Sequence, residues 1–312
     1  MKISIYKSDE REIWNDFILK SKTPHFFFLR EYLEYHSDRF QDFSLMIYDE
    51  KDVLIAVLPA NLSGNIIYSH QGLTFGGFVV SDSMKTETMM KIFDELIFFL
   101  KSRNILKLIY KCIPYIYHKK PAEEDRYSLF LNDAKLIRRD VTSTICLSEE
   151  IRYSKGRKWS INKAKKKNIN VYETRDFSSF WKILESVLES EHGAKPVHTL
   201  AEIEMLGGRF PENIRLFLAS HEDQPVSGAL IFDNEIIAHT QYLANSKIGR
   251  EIGALDFLID NLIKSFFKNR KYFDFGISNE NQGRYLNTGL IAQKEGFGAR
   301  PVVHDFYELE IQ

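Results

Sequence analysis

Cysteine is nearly missing from this sequence: there are two in 312 residues, Cys112 and Cys146. Neither belongs to a CxxC pair or a zinc-ligand spacing. A disulfide scaffold and a metal site are therefore not expected, and a reduced, intracellular chain is. An excess of one charge is missing too. Lys and Arg number 42 against 43 Asp and Glu, a net charge of −1, so binding to a polyanion would need a local patch. Long apolar runs are absent. The longest, around Leu96-Ile97-Phe98-Phe99-Leu100, falls far short of the ~20 residues that span a bilayer. The opening MKISIYKSDE alternates like a strand and lacks the apolar run of a signal peptide. A cytoplasmic chain with no membrane span is the expectation. What is present is ordinary globular material, 44% hydrophobic and 27% charged, which argues against disorder. At this length two domains are expected.

The second half parses readily. Ile169 to Glu173 reads as a strand. Phe177, Phe180, Trp181, Leu184, Val187 and Leu188 then form one apolar stripe at helical spacing, ending at Gly193. Thr199 followed by Glu202 is a capping box that opens a second helix. Ile214–Ser220, Pro225–Phe232 and Ile236–Ala244, joined by polar turns, predict an antiparallel meander. A helix over 254–268, a strand Tyr272–Phe275, a helix from about Asn281 to Glu295 and a hairpin (Phe297–Val303, His304–Ile311) complete the half.

The first half follows the same order in a worn form. A strand at Lys2–Tyr6, helices near Glu10–Lys20 and Leu29–Arg39, and a hairpin of Phe43–Tyr48 with Val53–Leu58 come first. An extended run Ile66–Val80, a helix Met84–Lys101, a strand Ile105–Cys112 and a closing hairpin over Leu136–Leu147 follow. The expected division is 1–150 and 151–312.

This order resembles the plan of the GNAT acyltransferase superfamily, twice over. In that superfamily the fourth strand runs into an (Arg/Gln)-x-x-Gly-x-(Gly/Ala) loop whose backbone N–H groups hold the pyrophosphate of coenzyme A. A helix N-terminus supplies unpaired donors and a positive dipole end there. The corresponding segment is Lys247-Ile248-Gly249-Arg250-Glu251-Ile252-Gly253-Ala254, with Leu255 standing where a small residue is expected. The resemblance therefore marks Lys247, Gly249, Arg250, Gly253 and Ala254 for an acyl-CoA cosubstrate. A Tyr-x-Lys-x-Gly-Phe pattern usual in the superfamily corresponds to Ala292-Gln293-Lys294-Glu295-Gly296-Phe297. Ala292 stands where a tyrosine often protonates the leaving thiolate. Tyr285, seven residues upstream and on the same face of the expected helix, is the candidate substitute.

The tandem arrangement is similar to the Fem-type peptidyltransferases, which carry a basic helix between their domains. From 152 to 167, eight of sixteen residues are Lys or Arg and none is acidic. Arg157–Lys167 is thus a candidate anion site, for CoA phosphates or for tRNA. No insertion resembling the Fem helical arm is visible. The fold class expected is α+β, two tandem GNAT-like domains, each a mixed sheet flanked by helices.

Candidate chemistry follows from residue types. An amine nucleophile needs a base, for which Glu280 and His192 are candidates. His198 lies close to His192 in sequence, but a metal site lacks a third ligand. Strict alternation puts His239 and Gln241 on one face of their strand and Thr240 and Tyr242 on the other, and one face should line the acyl slot. Asn287 and Arg300 are further substrate-binding candidates; the plain reading of the Asn279–Asn281 stretch is helix capping by Asn279 or Asn281, and that of Arg300 is an edge-strand surface charge. Ser69–Gly77, rich in glycine, is expected to be a structural bulge. The reaction implied is transfer from acyl-CoA to a primary amine, on a small molecule, amino sugar or peptide. The alternatives are an aminoacyl-tRNA donor with a cell-wall precursor, and a non-catalytic binding protein on a degenerate GNAT frame.

Overall fold

The computed structural model describes residues 1–311, with backbone alone for Glu191 and His192. The chain forms two compact units that share it unevenly. One comprises 1–140, 280–285 and 303–312; the other comprises 141–279 and 286–302. The division thus differs from a single cut at 150. The end of the chain belongs with its beginning because Leu309 of the last strand and Ile311 just after it complete the first unit's core.

In the first unit, β1 (Lys2–Ile5), α1 (Arg11–Lys20), the single turn α2 (Arg30–Leu33) and β2 (Gln41–Asp42) precede the hairpin of β3 (Leu45–Tyr48) and β4 (Leu54–Leu58). β5 (Asn61–Ser63), β6 (Ile66–Tyr68), β7 (Val79–Val80), α3 (Thr86–Lys101), β8 (Lys107–Lys111) and α4 (Glu124–Leu131) follow. β1, β3, β4 and β7 form one antiparallel sheet. β6 and β8 run parallel, Ile66 opposite Lys107, on either side of a crossover that contains α3. Residues 135–146 are one long strand, β9 (Lys135–Cys146), rather than a hairpin.

In the second unit, β9 leads to α5 (Lys155–Lys165), β10 (Asn170–Thr174), α6 (Phe177–His192) and α7 (Leu200–Arg209). The meander β11 (Ile214–His221), β12 (Gln224–Asp233) and β13 (Ile237–Asn245) comes next, then α8 (Lys247–Ile252) and α9 (Ala254–Asn261). A π-helical turn, Leu262–Phe266, continues α9. β14 (Tyr272–Ile277) follows, then the two-residue strands β15 (Asn279–Glu280) and β16 (Tyr285–Leu286), and α10 (Thr288–Glu295). The expected helix from Asn281 is therefore shorter. Asn281 and Gln282 have positive φ values of 49° and 53°, which no helix accommodates, so a tight hairpin precedes it. The expected final hairpin is one strand, β17 (Arg300–Glu310).

Ile161 of α5 and Leu258 and Ile259 of α9 pack with Phe217, Ala229, Ile231 and Ala238 on one face of the meander. On the opposite face Phe180 of α6 packs against Gly228, where any Cβ would clash with its ring. This places one helical layer on each side of β12 and β13.

Candidate active-site cleft

β13 and β14 are parallel neighbours for only three residue pairs, from Ile237 opposite Tyr272 to His239 opposite Asp274. Beyond that pair β13 runs on to Asn245 with no ladder to β14. Both strands carry an irregularity at the point of parting. On β13 the pairing with β12 skips Gln241, since Leu230 faces Tyr242 while Ile231 faces Thr240. On β14 the register slips between Asp274 and Ile277 around Gly276, whose φ is 74°. A bulge bends its strand and increases the local twist, so two bulges at one level drive the strands apart.

The bulge at Gln241 also reverses the alternation read from sequence. His239 and Tyr242 share one face, while Thr240 and Leu243 share the other.

A cleft of about 840 Å3 occupies the parting. Leu243 and Asn245 of β13, Val187 of α6, and Leu290, Ala292 and Gln293 of α10 line it. α5 contributes Arg157, Trp159 and Ser160, and the α8–α9 junction contributes Arg250, Gly253 and Asp256. Because α6 and α5 lie on opposite faces, the cleft passes through the sheet.

Its walls are built tightly. Ser246 caps α8, accepting from the N–H of Gly249 at 3.1 Å. Gly253 ends α8 and starts α9 with φ at 79°, and a Cβ there would lie 2.6 Å from the carbonyl oxygen of Ser160. Glycine is required on both counts. Arg157 Nη1 donates to Asp256 Oδ1 at 2.5 Å, tying α5 to the first turn of α9.

At the base of the parting lies a polar cluster on the α6 face. Asp274 is fully buried. Its Oδ1 accepts from the hydroxyls of Thr142 at 2.5 Å and Thr144 at 2.7 Å. Its Oδ2 lies 2.6 Å from Nδ1 of His239 and accepts from the N–H of Gly276 at 3.2 Å. Burial pushes this carboxyl up, but His239 and the two threonine hydroxyls outweigh burial and hold it below the ordinary value. The His239 ring lies over Gly276, where a Cβ would sit 3.3 Å from Cε1. Lys294, buried on α10, donates to the carbonyls of Gly276 and Ile277 at 2.8 and 2.7 Å. Burial lowers its ammonium to about 8, against a raising influence of Asp274. Tyr242 Oη accepts from the N–H of His198 at 3.2 Å and pairs with His198 Nδ1 at 2.8 Å, with Trp181 edge-on to its ring.

A split parallel pair with a cleft through it in one unit, and a parallel crossover in the other, is a recognisable architecture. The chain has the tandem GNAT fold of the Fem type. It is similar to FemX with a TM-score of 0.68 and 11% identity, over 98% of this chain and 97% of that one. It is similar to L-PGS from Bacillus licheniformis at 0.63 and 12%, over 99% and 93%. A tandem GNAT protein from the clavulanic acid biosynthesis pathway follows at 0.51 and 12%, over 100% and 98%. No protein-family model and no curated protein sequence matches the chain.

Within this Fem-type fold the residues singled out from sequence separate. Arg250 and Gly253 line the cleft, as does Ala292. Lys247 is exposed beside it, Gly249 is buried against Val226 and Asn245, and Ala254 is in the core. His239 and Tyr242 belong to the polar cluster, and Gln241 is the bulged residue between them. Asn287 caps α10, accepting from the N–H of Leu290 at 3.0 Å. Arg300 is exposed and donates to the carbonyl of Ala299 at 2.7 Å. Glu280 and Tyr285 sit in the β15–β16 hairpin, in the other compact unit, and neither lines the cleft. Tyr285 is not helical, so the expected shared face with Ala292 does not exist. The side chain of His192 lies outside the described residues.

Two residues escaped the reading. Asp274 carried a signal, a lone carboxylate inside the aromatic run Tyr-Phe-Asp-Phe, which must find partners when buried. Lys294 was matched to a pattern without a contact to explain it. Among the described residues no group of three His, Cys, Asp or Glu side chains is placed to hold a metal ion, and no helix is long and apolar enough to cross a membrane.

Proposed function

We propose that the protein transfers an acyl group from acyl-CoA to a primary amine in the cleft of the second unit. The observation that carries this reading is the parting of β13 and β14 at His239 and Asp274, with a through-sheet cleft beyond it. The donor's phosphates lie at the α8–α9 junction with Arg250, and its acyl end points down β13 toward Gln241. His239 is four residues from Leu243, roughly 13 Å along the strand, so the handle and the reactive end of the donor are read by different residues.

The acceptor amine must be neutral to attack. His239, oriented by Asp274, takes its proton directly or through one water, and Asp274 stabilises the imidazolium that forms. The edge of β13 beyond His239, without a ladder to β14, offers N–H groups to the tetrahedral oxyanion, which collapses with cleavage of the C–S bond and release of CoA as a thiolate that takes its proton from solvent. Lys294 holds the end of β14 in place. His239 thus replaces Glu280 and His192 as the base we favour.

A second reading keeps the fold and takes an aminoacyl-tRNA donor. Lys158 and Lys165 of α5, with Lys264 of the π-helical turn, surround a second hollow of about 290 Å3. That is a cationic track beyond what acyl-CoA needs.

Thermal unfolding with acetyl-CoA, free CoA and a CCA-ended RNA minihelix tests both. A donor at about 100 times its dissociation constant adds roughly 2.7 kcal/mol, a clear shift in midpoint. A shift with acetyl-CoA that Arg250→Glu abolishes supports the first reading. A shift with the minihelix alone transfers the proposal to the second. No shift with either leaves a non-catalytic frame.

A further inference from the structure

The sequence contains three tryptophans. Trp14 and Trp181 are 0% and 2% exposed, as large aromatics usually are, whereas Trp159 is 67% exposed. Its exposure is not a frayed edge of the core. The buried residues of α5 are Ile161 and Ala164, and Trp159 lies about 200° around the helix from Ile161. The ring lines the cleft, within reach of the α8–α9 junction residues that also line it. Lys155 and Lys163 stand one turn to either side on the same stripe, and Lys163 Nζ is 5.2 Å from the Trp159 ring centroid. A flat apolar face between cations, at the mouth of a cleft that also carries Arg250, matches a phosphorylated purine nucleoside: the ring stacks, and the cations meet the phosphates.

We propose that Trp159 is the stacking platform for the adenine of a phosphorylated adenosine. Such a group ends acyl-CoA, remote from its thioester, so the inference rests on the acyl-transfer reading with acyl-CoA as the donor. Trp159 grips the carrier and touches neither the acyl carbon nor the acceptor.

Because the other two tryptophans are buried, contact quenching by an added ligand is expected at Trp159, and the Trp159→Phe variant supplies the background from Trp14 and Trp181. The protein is titrated with adenosine 3′,5′-bisphosphate, uridine 3′,5′-bisphosphate, acetyl-CoA and the CCA-ended minihelix, and binding of the last two is measured in parallel by calorimetry. Saturable quenching by the adenosine compound and not by the uridine one is expected. Trp159→Ala should weaken donor binding roughly 5- to 150-fold, and Trp159→Phe should restore most of it. Acetyl-CoA should bind more tightly than the bisphosphate, and binding of the minihelix in place of acetyl-CoA overturns the inference. If acetyl-CoA binds the wild type and Trp159→Ala equally well, the platform is refuted while the donor reading survives. If the wild type binds neither, both are refuted. Equal quenching by the uridine compound also overturns the inference, because the site would then read phosphate alone.

Discussion

Each unit contains one parallel strand pair joined by a helical crossover, and the two pairs have opposite fates. In the second unit β13 and β14 part after three residue pairs, and a cleft fills the parting. In the first unit β6 and β8 also pair for three residues, from Ile66 opposite Lys107 to Tyr68 opposite Ile109. There the chain then closes on itself. Ser69 Oγ accepts from the N–H of Lys111 at 2.7 Å, and Lys111 Nζ donates to the carbonyls of His70, Gln71 and Leu73 at 3.0, 3.2 and 2.5 Å. Gly76 and Gly77 have no room for a Cβ against Ser69 and Tyr110, while the rings of Phe27, Phe75, Tyr117 and His25 pack together at tilted and edge-on angles nearby. One βαβ plan thus yields an open slot or a plugged one, according to whether bulges or a stitched loop follow the paired residues.

The largest test of that contrast is Asp274. Asp274→Ala removes the acceptor shared by His239, Thr142 and Thr144 and should cost about 3–5 kcal/mol in denaturant unfolding. Asp274→Asn should keep much of the fold and reduce transfer at least ~100-fold. Unchanged turnover in Asp274→Asn would remove His239 from the chemistry. Next comes Gly253→Ala, which forces a side chain into the left-handed region and onto Ser160. A loss of about 1–3 kcal/mol is expected, along with weaker donor binding. Retained donor affinity at full stability would show that the α5–α9 contact does not shape the slot.

In the plugged unit, Lys111→Met leaves three carbonyls without their ammonium and should destabilise by about 1–3 kcal/mol. Donor binding should stay as in the wild type. A change in donor affinity there would break the assignment of one open and one closed site.

The last test is of pH dependence. Burial, with the nearby charges of His36 and Lys111, lowers the His70 imidazole to about 3 from an ordinary 6.5. The unfolded chain therefore takes up the proton first. The stability that neutral His70 supports is complete above pH ~6.5 and declines as pH falls toward 3. His70→Asn, which tolerates the local φ of 64°, should flatten that slope in urea titrations at pH 7, 5.5 and 4. An unaltered slope would place the acid sensitivity elsewhere.

Much of the fold was legible because it is local. The apolar stripe of α6 and the capping box of α7, with both Thr199 and Glu202 hydrogen bonds formed, follow from spacing alone. So does the β11–β13 meander. The site was less legible, for identifiable reasons. Alternation along β13 predicts its faces only if every residue pairs, and the skipped Gln241 exchanges the partners of His239. The expected helical phase of Tyr285 fails at Asn281 and Gln282, whose left-handed backbone no periodic pattern announces. Asp274 could be seen as an odd carboxylate, but its three side-chain partners come from β9 and β13, up to 132 residues away in sequence.

By itself the sequence determined the inventory and its order: two α+β halves, a basic segment before the second, and a glycine-containing turn where β13 ends. Short-range effects decide these, since periodicity, caps and turn preferences act within a few residues. Only the tertiary structure decided which residues meet. It joined His239 to Asp274, set Trp159 at the mouth of a cleft, gave the last strand to the first unit, and opened one parallel pair while closing the other. Those outcomes depend on strand register and on burial of partners distant in sequence, and a one-residue bulge is enough to change them.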